Sequence, residues 1–318
     1  MNNNPKTMRD ALIEKIYERM FNNDKIFFVS ADFGSPVLDK LRKDFKERFI
    51  NVGIAEQNLI NVSTGLALEG YIVYAYAIAP FLSMRCYEQI RINLSLMSQI
   101  RNLNVNMISV GAGLSYDVTG PTHHCFEDIP IIRVLPNIVV FSPSDHIMAE
   151  KFVEFSLNTN KPKYIRLDGK AQPSIYNNEK EIVIEKGFYE LKNGKDVCII
   201  STGYMTHKAL KVVNILKEKN INAGHIDFFL LKTFDEKRLS EVMSKYKYIF
   251  TMEEGFIDKG GLDSLISNIL RRNKFSSELN AFGFGDGYVF EVGDREYLHK
   301  INNLDEESII ETITKIME

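Results

Sequence analysis

Apolar and polar positions along the chain fall into alternating blocks of two kinds. Short, nearly uninterrupted apolar runs ("KIFFVSA", "YIVYAYA", "NVNMISV", "NIVVFSP") are rich in β-branched and aromatic residues and are bounded by turn residues. Such runs predict strands buried on both faces. Between them, apolar positions recur at helical spacing, and from Arg85 to Arg101 the residues Cys86, Ile90, Leu94 and Met97 share a face. The extended run "ERFINVGI" ends at a glycine, after which Leu59, Val62, Ser63 and Leu66 follow a helical period up to Gly70. Strands and helices alternating in this way predict a parallel sheet covered on both sides.

The alternation pauses from Asp168 to Gly187, where "DGKAQPSIYNNEKEIVIEKG" is polar and carries a proline, an Asn pair and several charges. A second series then follows. "DVCIIST", "NAGHIDF", "KYIFTMEE" and "LNAFGFG" read as strands; Tyr204 to Lys217, "GGLDSLISNILRR" and a last segment from about Asp305 read as helices. The predicted class is therefore α/β, two doubly wound domains with mostly parallel sheets, at 5–172 and 189–318, with a linker at 173–188. A chain of 318 residues is long enough for each domain to have its own core.

Composition removes several function classes. Hydrophobic content of 45% and charged content of 25% are those of a soluble globular protein. A formal net charge of −3, with no Lys/Arg-rich run, argues against a nucleic-acid partner. Cys86, Cys125 and Cys198 are widely spaced without a CxxC pair, which predicts reduced thiols in a cytoplasmic protein and gives no zinc pattern. "MNNNPKTMRD" lacks the apolar core of a signal peptide. The longest apolar run, "YIVYAYAIAPFL", is too short for a bilayer and contains Pro80.

In an open α/β sheet, ligands bind beyond the carboxyl ends of the strands. That rule selects the loops Ser30 to Pro36, Gly53 to Glu56, Ala77 to Phe81 and Gly111 to Cys125. Glu56 stands in one of them, just as a mostly apolar helix begins. An acid there suits the helix dipole, or it serves a ligand at this edge. Its place among the other post-strand loops weakens the purely structural reading.

Four stretches, "SADFGSP", "RFINVGIAEQN", "CYEQIR" with its helix, and "GPTHHCFEDIPIIRVLPNIVVFSPSD", together resemble the transketolase family. The resemblance runs strongly from Met8 to Asp168 and more weakly over the second domain, whose size and α/β order look like the family's C-terminal domain. It implies a pyrimidine-binding domain for thiamine diphosphate followed by a transketolase C-terminal domain, without the diphosphate-binding domain. The chain would then be the C-terminal subunit of a split transketolase. It would be active only with an N-terminal partner that holds the diphosphate and Mg2+, in a heterotetramer within which this chain also pairs with itself. No metal ligand is expected in this chain. The Gly285-Asp286-Gly287 segment has the residue types of a diphosphate motif, but Asn302-Asn303 follows too soon and lies in the second domain.

The same resemblance implies residue roles. Glu56 matches the glutamate that hydrogen-bonds a ring nitrogen of the aminopyrimidine, and such a carboxyl must hold or share a proton, which apolar surroundings favour. Asp32, Ile54, Phe81, Arg85 and Gln89 join it at the cofactor, with Phe81 as the aromatic platform. Each has a plainer alternative: an Asx turn for Asp32, a core ring for Phe81, a solvated helix face for Arg85 and Gln89. His123, in "GPTH", matches a histidine that contacts donor oxygens where alkoxides form and collapse. Glu56 and His123 are thus the catalytic candidates. Arg9 and Ser35 match phosphate-contacting positions; Asp117, His123 and Lys170 complete the substrate set.

Departures from the family pattern fall on the acceptor side. Gly169 stands where an arginine is expected, with Arg166 and Lys170 nearby; Thr119 replaces an acid before "GPTH"; a histidine near Gly111 is absent. These changes imply retained cofactor chemistry, a two-carbon ketol transfer between a ketose and an aldose, with altered sugar specificity. "STGYMTHKAL" in the second domain reads as a structural turn rather than an anion cradle. Two other readings stay open: a different thiamine enzyme (deoxyxylulose-phosphate synthase-like, or a 2-oxo-acid dehydrogenase β-like subunit), and a non-catalytic scaffold that kept the fold.

Overall fold

The apolar runs become the central strands of two sheets. The computed structural model describes residues 5–177 and 182–318, so residues 178–181 of the expected linker lie outside the described residues. The first unit runs α1 (Met8–Met20), β1 (Ile26–Ser30), α2 (Pro36–Asp44), β2 (Phe49–Asn51), α3 (Glu56–Leu68) and β3 (Ile72–Ile78). After an irregular helical stretch containing α4 (Tyr87–Gln89) come β4 (Val105–Val110), α5 (Asp128–Arg133), β5 (Val139–Phe141), α6 (His146–Asn158) and β6 (Lys163–Leu167). Its six strands lie in the order β2-β1-β3-β4-β6-β5, and every neighbouring pair is parallel. All residues of β4 are buried, as a strand covered on both faces requires.

The second unit runs β7 (Phe188–Lys192), β8 (Val197–Ser201), α7 (Met205–Glu218), β9 (Ala223–Phe228), α8 (Glu236–Met243) and β10 (Tyr248–Phe256), then α9 (Leu262–Asn273), β11 (Glu278–Phe284), α10 (Arg295–Ile301) and α11 (Glu306–Met317). Its order is β11-β10-β8-β9-β7, parallel except for the edge strand β7, which runs antiparallel to β9. The two-domain α/β architecture predicted from the periodicity is the one observed. β7 is absent from that prediction because only its first residue is buried, so "FYELK" carries no continuous apolar signal.

The segment expected as a plain α-helix from Arg85 to Arg101 departs from expectation. Phe81–Arg85 and Ile90–Leu96 form π-type turns on either side of α4. Leu82, Cys86, Ile90 and Leu94 are all fully buried and recur every fourth residue. In a regular α-helix, each four-residue step would rotate the face by about 40°. Wider turns keep all of these side chains on the core, and such turns are frequent at functional sites.

The units dock through main-chain bonds as well as apolar packing. Ser142 N–H donates to Phe229 O at 2.8 Å, and Leu231 N–H to Val140 O at 2.9 Å, so a segment after β9 extends the edge beside β5. One buried apolar cluster runs from Val29 and Leu59 in the first unit to Ile226 and Leu262 in the second.

Candidate active site

Because the strands of the first sheet are parallel, the loops after β1, β2, β3, β4 and β6 emerge on one edge. β1 is followed by β2 on one side and β3 on the other, so the order reverses here, where open α/β sheets form their crevice. Asn51 fastens two of these loops together: its amide donates to Asp32 Oδ1 at 2.8 Å, and its carbonyl oxygen accepts from the N–H groups of Asp32 and Gly53 at 3.2 and 3.0 Å. Asp32 has φ 54° and Gly53 φ 75°, both in the left-handed region used by turns of this kind. The turn role foreseen for Asp32 is therefore present; its carboxylate is exposed and bound to Asn51.

Glu56 opens α3 and is 3% exposed. The helix has no side-chain cap, and the Glu56 carboxylate reaches across to Arg85, whose Nη1 donates to Oε2 at 2.8 Å. A buried acid needs such a partner, but Arg85 itself is about half exposed, 48% for its side chain. The contact orients one carboxylate oxygen toward Arg85 and leaves Oε1 with no hydrogen bond among the described residues. The simple dipole role does not account for a carboxylate turned toward another helix.

Arg85 also lies over the Phe81 ring at 4.5 Å, and Phe81 stands edge-to-face with His123 at 5.4 Å between centroids. His123 Nδ1 is 3.0 Å from Thr122 Oγ1, and its ring is 6.4 Å from that of Tyr116. The structure thus brings Glu56, Arg85, Phe81 and His123 into one continuous track along the sheet edge. Ile54, at the tip of the preceding loop, is 76% exposed. Gln89 lies further along the helix, and its Oε1 is buried without a hydrogen-bond partner.

Arg9 and Ser35 meet at Asp10. Arg9 Nε and Nη2 donate to its carboxylate at 2.8 and 3.3 Å, and Ser35 Oγ donates to Oδ1 at 2.9 Å. Burial alone would push the Asp10 carboxyl up, but Arg9, Thr7 and Ser35 together hold it below the usual range. Ser35 also caps α2.

Asp117 is placed differently from expectation. It is 2% exposed, and its carboxylate accepts from the Val118 N–H at 2.9 Å, from the Arg295 N–H at 2.7 Å, and from Lys170 Nζ. Its oxygens are committed to holding the loop, so it does not present a free carboxylate to a sugar, and Lys170 is spent on Asp117. Arg166 is likewise internal, 2.8 Å from Asp128. His124 turns inward, with Nε2 3.2 Å from Asp117 O. The turn at Ser201 is structural: Ser201 Oγ bonds Thr206 at 3.0 Å and His225 at 2.8 Å.

The loop bearing His123 is gripped by the second domain. Gly113 and Cys125 close it with paired backbone bonds of 3.0 Å. Glu254 Oε2 accepts from Leu114 N–H at 3.1 Å, and a Cβ on Gly113 would fall 2.2 Å from that same oxygen. Arg295 contacts Asp168 at 2.6 Å and Glu254 at 3.1 Å, as charge contacts without aligned hydrogen-bond geometry, and stacks 3.8 Å over Tyr204. Burial raises the Glu254 carboxyl, but Arg295 and His299, the latter at 2.8 Å, outweigh it and bring Glu254 to about 2.

The sequence of this chain matches two family descriptions in tandem: "Transketolase, pyrimidine binding domain" over residues 4–172 and "Transketolase, C-terminal domain" over 188–311. The chain belongs to the transketolase family. It is 33% identical to a putative transketolase C-terminal section of Methanocaldococcus jannaschii, over 98% of this chain and 96% of that one. It is 29% identical to a subunit of the apulose-4-phosphate transketolase of Actinobacillus succinogenes, over 97% of both. Among solved structures it superposes on a split gene transketolase, described as an inactive β4 tetramer, with TM-score 0.83, 31% identity and 99% of each chain covered.

Transketolase family membership implies thiamine diphosphate, and the residues fit its pyrimidine half. Glu56 is a buried carboxylate with one uncommitted oxygen, and Arg85 joins it to the half-buried Phe81 ring at the carboxyl edge of the sheet. Among the described residues, no group of three or more His, Cys, Asp or Glu is arranged to hold a metal ion. Asp286 of the Gly285-Asp286-Gly287 turn is exposed and 3.5 Å from Lys259. No helix among the described residues is long and apolar enough to cross a membrane.

Proposed function

We propose that this chain is the C-terminal subunit of a split transketolase and forms the pyrimidine half of its active site. In this reading an N-terminal partner supplies the diphosphate and Mg2+ site, and the assembled heterotetramer transfers a two-carbon ketol unit from a ketose to an aldose. The observation that carries the reading is Glu56, buried at the carboxyl edge of the sheet with Oε2 held by Arg85 and Oε1 uncommitted. Bound thiamine diphosphate supplies the carbanion chemistry that the transfer requires.

Each residue then has a task its surroundings support. Glu56 holds or shares a proton at a pyrimidine ring nitrogen through Oε1, while Arg85 fixes the carboxylate's orientation. Phe81 stacks on the pyrimidine, with Ile54 and Gln89 bordering it and Asp32 shaping the loop beside it. His123 lies one ring beyond Phe81 and meets the sugar oxygens, where a neutral or charged imidazole can share protons. Arg9 and Ser35, joined at Asp10, take the substrate's tail. Asp117 and Lys170 act on substrate only through the loop they hold. Ile54, in the loop before Glu56, and Met84, next to Arg85 in the chain, are exposed at 76% and 39% and suit burial against the partner.

The test is Glu56→Gln in the complex reconstituted with the N-terminal subunit. Turnover should fall by about two to four orders of magnitude, the usual worth of a positioned proton-transfer group, with assembly unchanged. Turnover equal to the unsubstituted complex would end the assignment. Calorimetric titration with thiamine diphosphate and Mg2+ should show binding to the mixture of subunits and none to this chain alone.

A further inference from the structure

The segment between β11 and α10 holds apolar side chains out in water. From Tyr288 to Val292 the backbone runs without helix, strand or turn, and none of its N–H or C=O groups finds a hydrogen-bond partner among the described residues. Tyr288, Phe290 and Val292 are 55, 73 and 70% exposed. They recur at every second position, the spacing that sets side chains on one side of an extended segment. Together they present on the order of 350 Å² of side-chain surface, the size of patch that marks interaction sites.

This exposure is built into the fold. Val289 turns inward, 3% exposed, into the apolar cluster of Phe126, Phe284 and Leu298. Tyr288 stands edge-to-face with Phe256 at 5.8 Å, and Phe256 packs on Phe126 of the His123 loop at 5.4 Å. Beyond Val292, a Cβ on Gly293 would fall 2.3 Å from the Tyr297 ring, and Asp294 caps α10. The Arg295 N–H then ties the segment to the Asp117 carboxylate at 2.7 Å. The same carboxylate takes the Val118 N–H at 2.9 Å, which brings Val118, itself 66% exposed, alongside the segment. The apolar face thus reaches from the second domain to the loop that carries His123.

Charge narrows what can cover it. Lys208 meets Glu296 at 2.9 Å and Lys259 meets Asp286 at 3.5 Å, but Glu291, exposed between Phe290 and Val292, has no ion-pair partner among the described residues. The one cation between Gly285 and Glu296 is Arg295, which is buried against Asp168 and Glu254. A second copy of this chain would bring the same uncompensated carboxylate to the face. An unlike surface can bring a cation to it.

We propose that Tyr288, Phe290 and Val292 form a docking face for the N-terminal partner subunit, which lays an apolar surface on them and a Lys or Arg beside Glu291. The occupant's identity rests on the split-subunit reading above; the exposure, anchoring and charge of the face do not. Aromatic side chains on a pre-ordered segment lose little freedom on binding, and such anchors carry most of the energy of an interface. Because the face adjoins the His123 loop, a partner seated on it is also set in place over the histidine. The second domain then has a task in assembly as well as in supporting the first.

The experiment measures, by sedimentation velocity, association of the full-length chain with the N-terminal subunit, comparing the unsubstituted chain with Phe290→Ser and Glu291→Lys. Both positions are exposed, so each variant should melt within about 2 °C of the unsubstituted chain. Phe290→Ser should weaken association about thirtyfold, the loss expected of an aromatic anchor. Glu291→Lys should weaken it about three- to tenfold at low ionic strength, and the difference should shrink in about 0.5 M salt. A Phe290→Ser variant that associates as tightly as the unsubstituted chain overturns the proposal and leaves the split-subunit reading standing. A Glu291→Lys variant that gains affinity overturns the cation beside Glu291. No association between the unsubstituted chain and the N-terminal subunit overturns the split-subunit reading and, with it, the occupant named here; self-association lost in Phe290→Ser would then give the face to a second copy.

Discussion

Replacing Arg295 by methionine removes the centre of the clamp between the domains while keeping an apolar stem over Tyr204. Arg295 is 4% exposed, 2.6 Å from Asp168 and 3.1 Å from Glu254. Without it, Asp168 and Glu254 are two buried carboxylates held only by neutral donors and, at Glu254, by His299. Removing one partner of a buried ion pair costs about 3–5 kcal/mol, because the abandoned charge stays buried. For a chain of this size, each kcal/mol moves the melting temperature by about 2–4 °C, so a drop of roughly 6–20 °C is expected by circular dichroism at pH 7.5. The pH dependence separates this cause from lost packing. Once Arg295 is gone, burial lifts the Glu254 carboxyl, and a group with a raised folded pKa regains stability as the pH falls. The deficit should therefore shrink at pH 5. Glu254→Gln should also cost less in the Arg295→Met background than in the unsubstituted chain. A melting temperature within about 2 °C of the unsubstituted chain, or a deficit unchanged by pH, would refute the clamp.

Two buried carboxyls of the unsubstituted chain should each contribute stability on mild acidification. Burial drives Asp227 up to about 7, against the hydroxyls of Ser144, Tyr176 and Thr206, and drives Glu253 to about 7 against Arg166. Raised carboxyls contribute stability that is complete below their unfolded pKa and lost as the pH rises through about 7. Glu254, held at about 2, acts in the opposite sense, with stability present above 4.5 and lost below it. Burial lowers His225 to about 3 and also lowers His124 and His207, and these oppose the gain below about 6.5, so the carboxyl part is read as a difference: relative to Asp227→Asn, the melting temperature of the unsubstituted chain should rise as the pH falls from about 7 to 4. Gly111→Ala should displace the Tyr116 ring, since its Cβ would fall 2.3 Å from it. It should lower stability by about 1–3 kcal/mol.

Sheet edges and loops are the legible part of this sequence. The runs that form β1, β3, β4 and β5 announce themselves because both faces are buried, and the carboxyl-end rule then gathers Glu56, Phe81 and His123 at one edge. What stays hidden depends on partners distant in sequence. Asp117 reads as an ordinary loop acid, and only the fold brings the Arg295 N–H, 178 residues away, onto its carboxylate. The π-type turns are written in the every-fourth-residue spacing of Leu82, Cys86, Ile90 and Leu94, which reads as a helical face unless the drift of a 3.6-residue period is followed.

Glu254 and Arg295 hold the His123 loop from across a domain boundary, and this decides where such an enzyme can be divided into separate genes. A break ahead of Met8 leaves the grip intact, since everything that shapes the histidine loop is still made as one polypeptide. A break between the domains would put the histidine on one product and its grip on another. The loop would then take shape only after those fragments had found each other, and the two-subunit site proposed above would become a three-body one. Its working concentration would fall with every dilution that separates them.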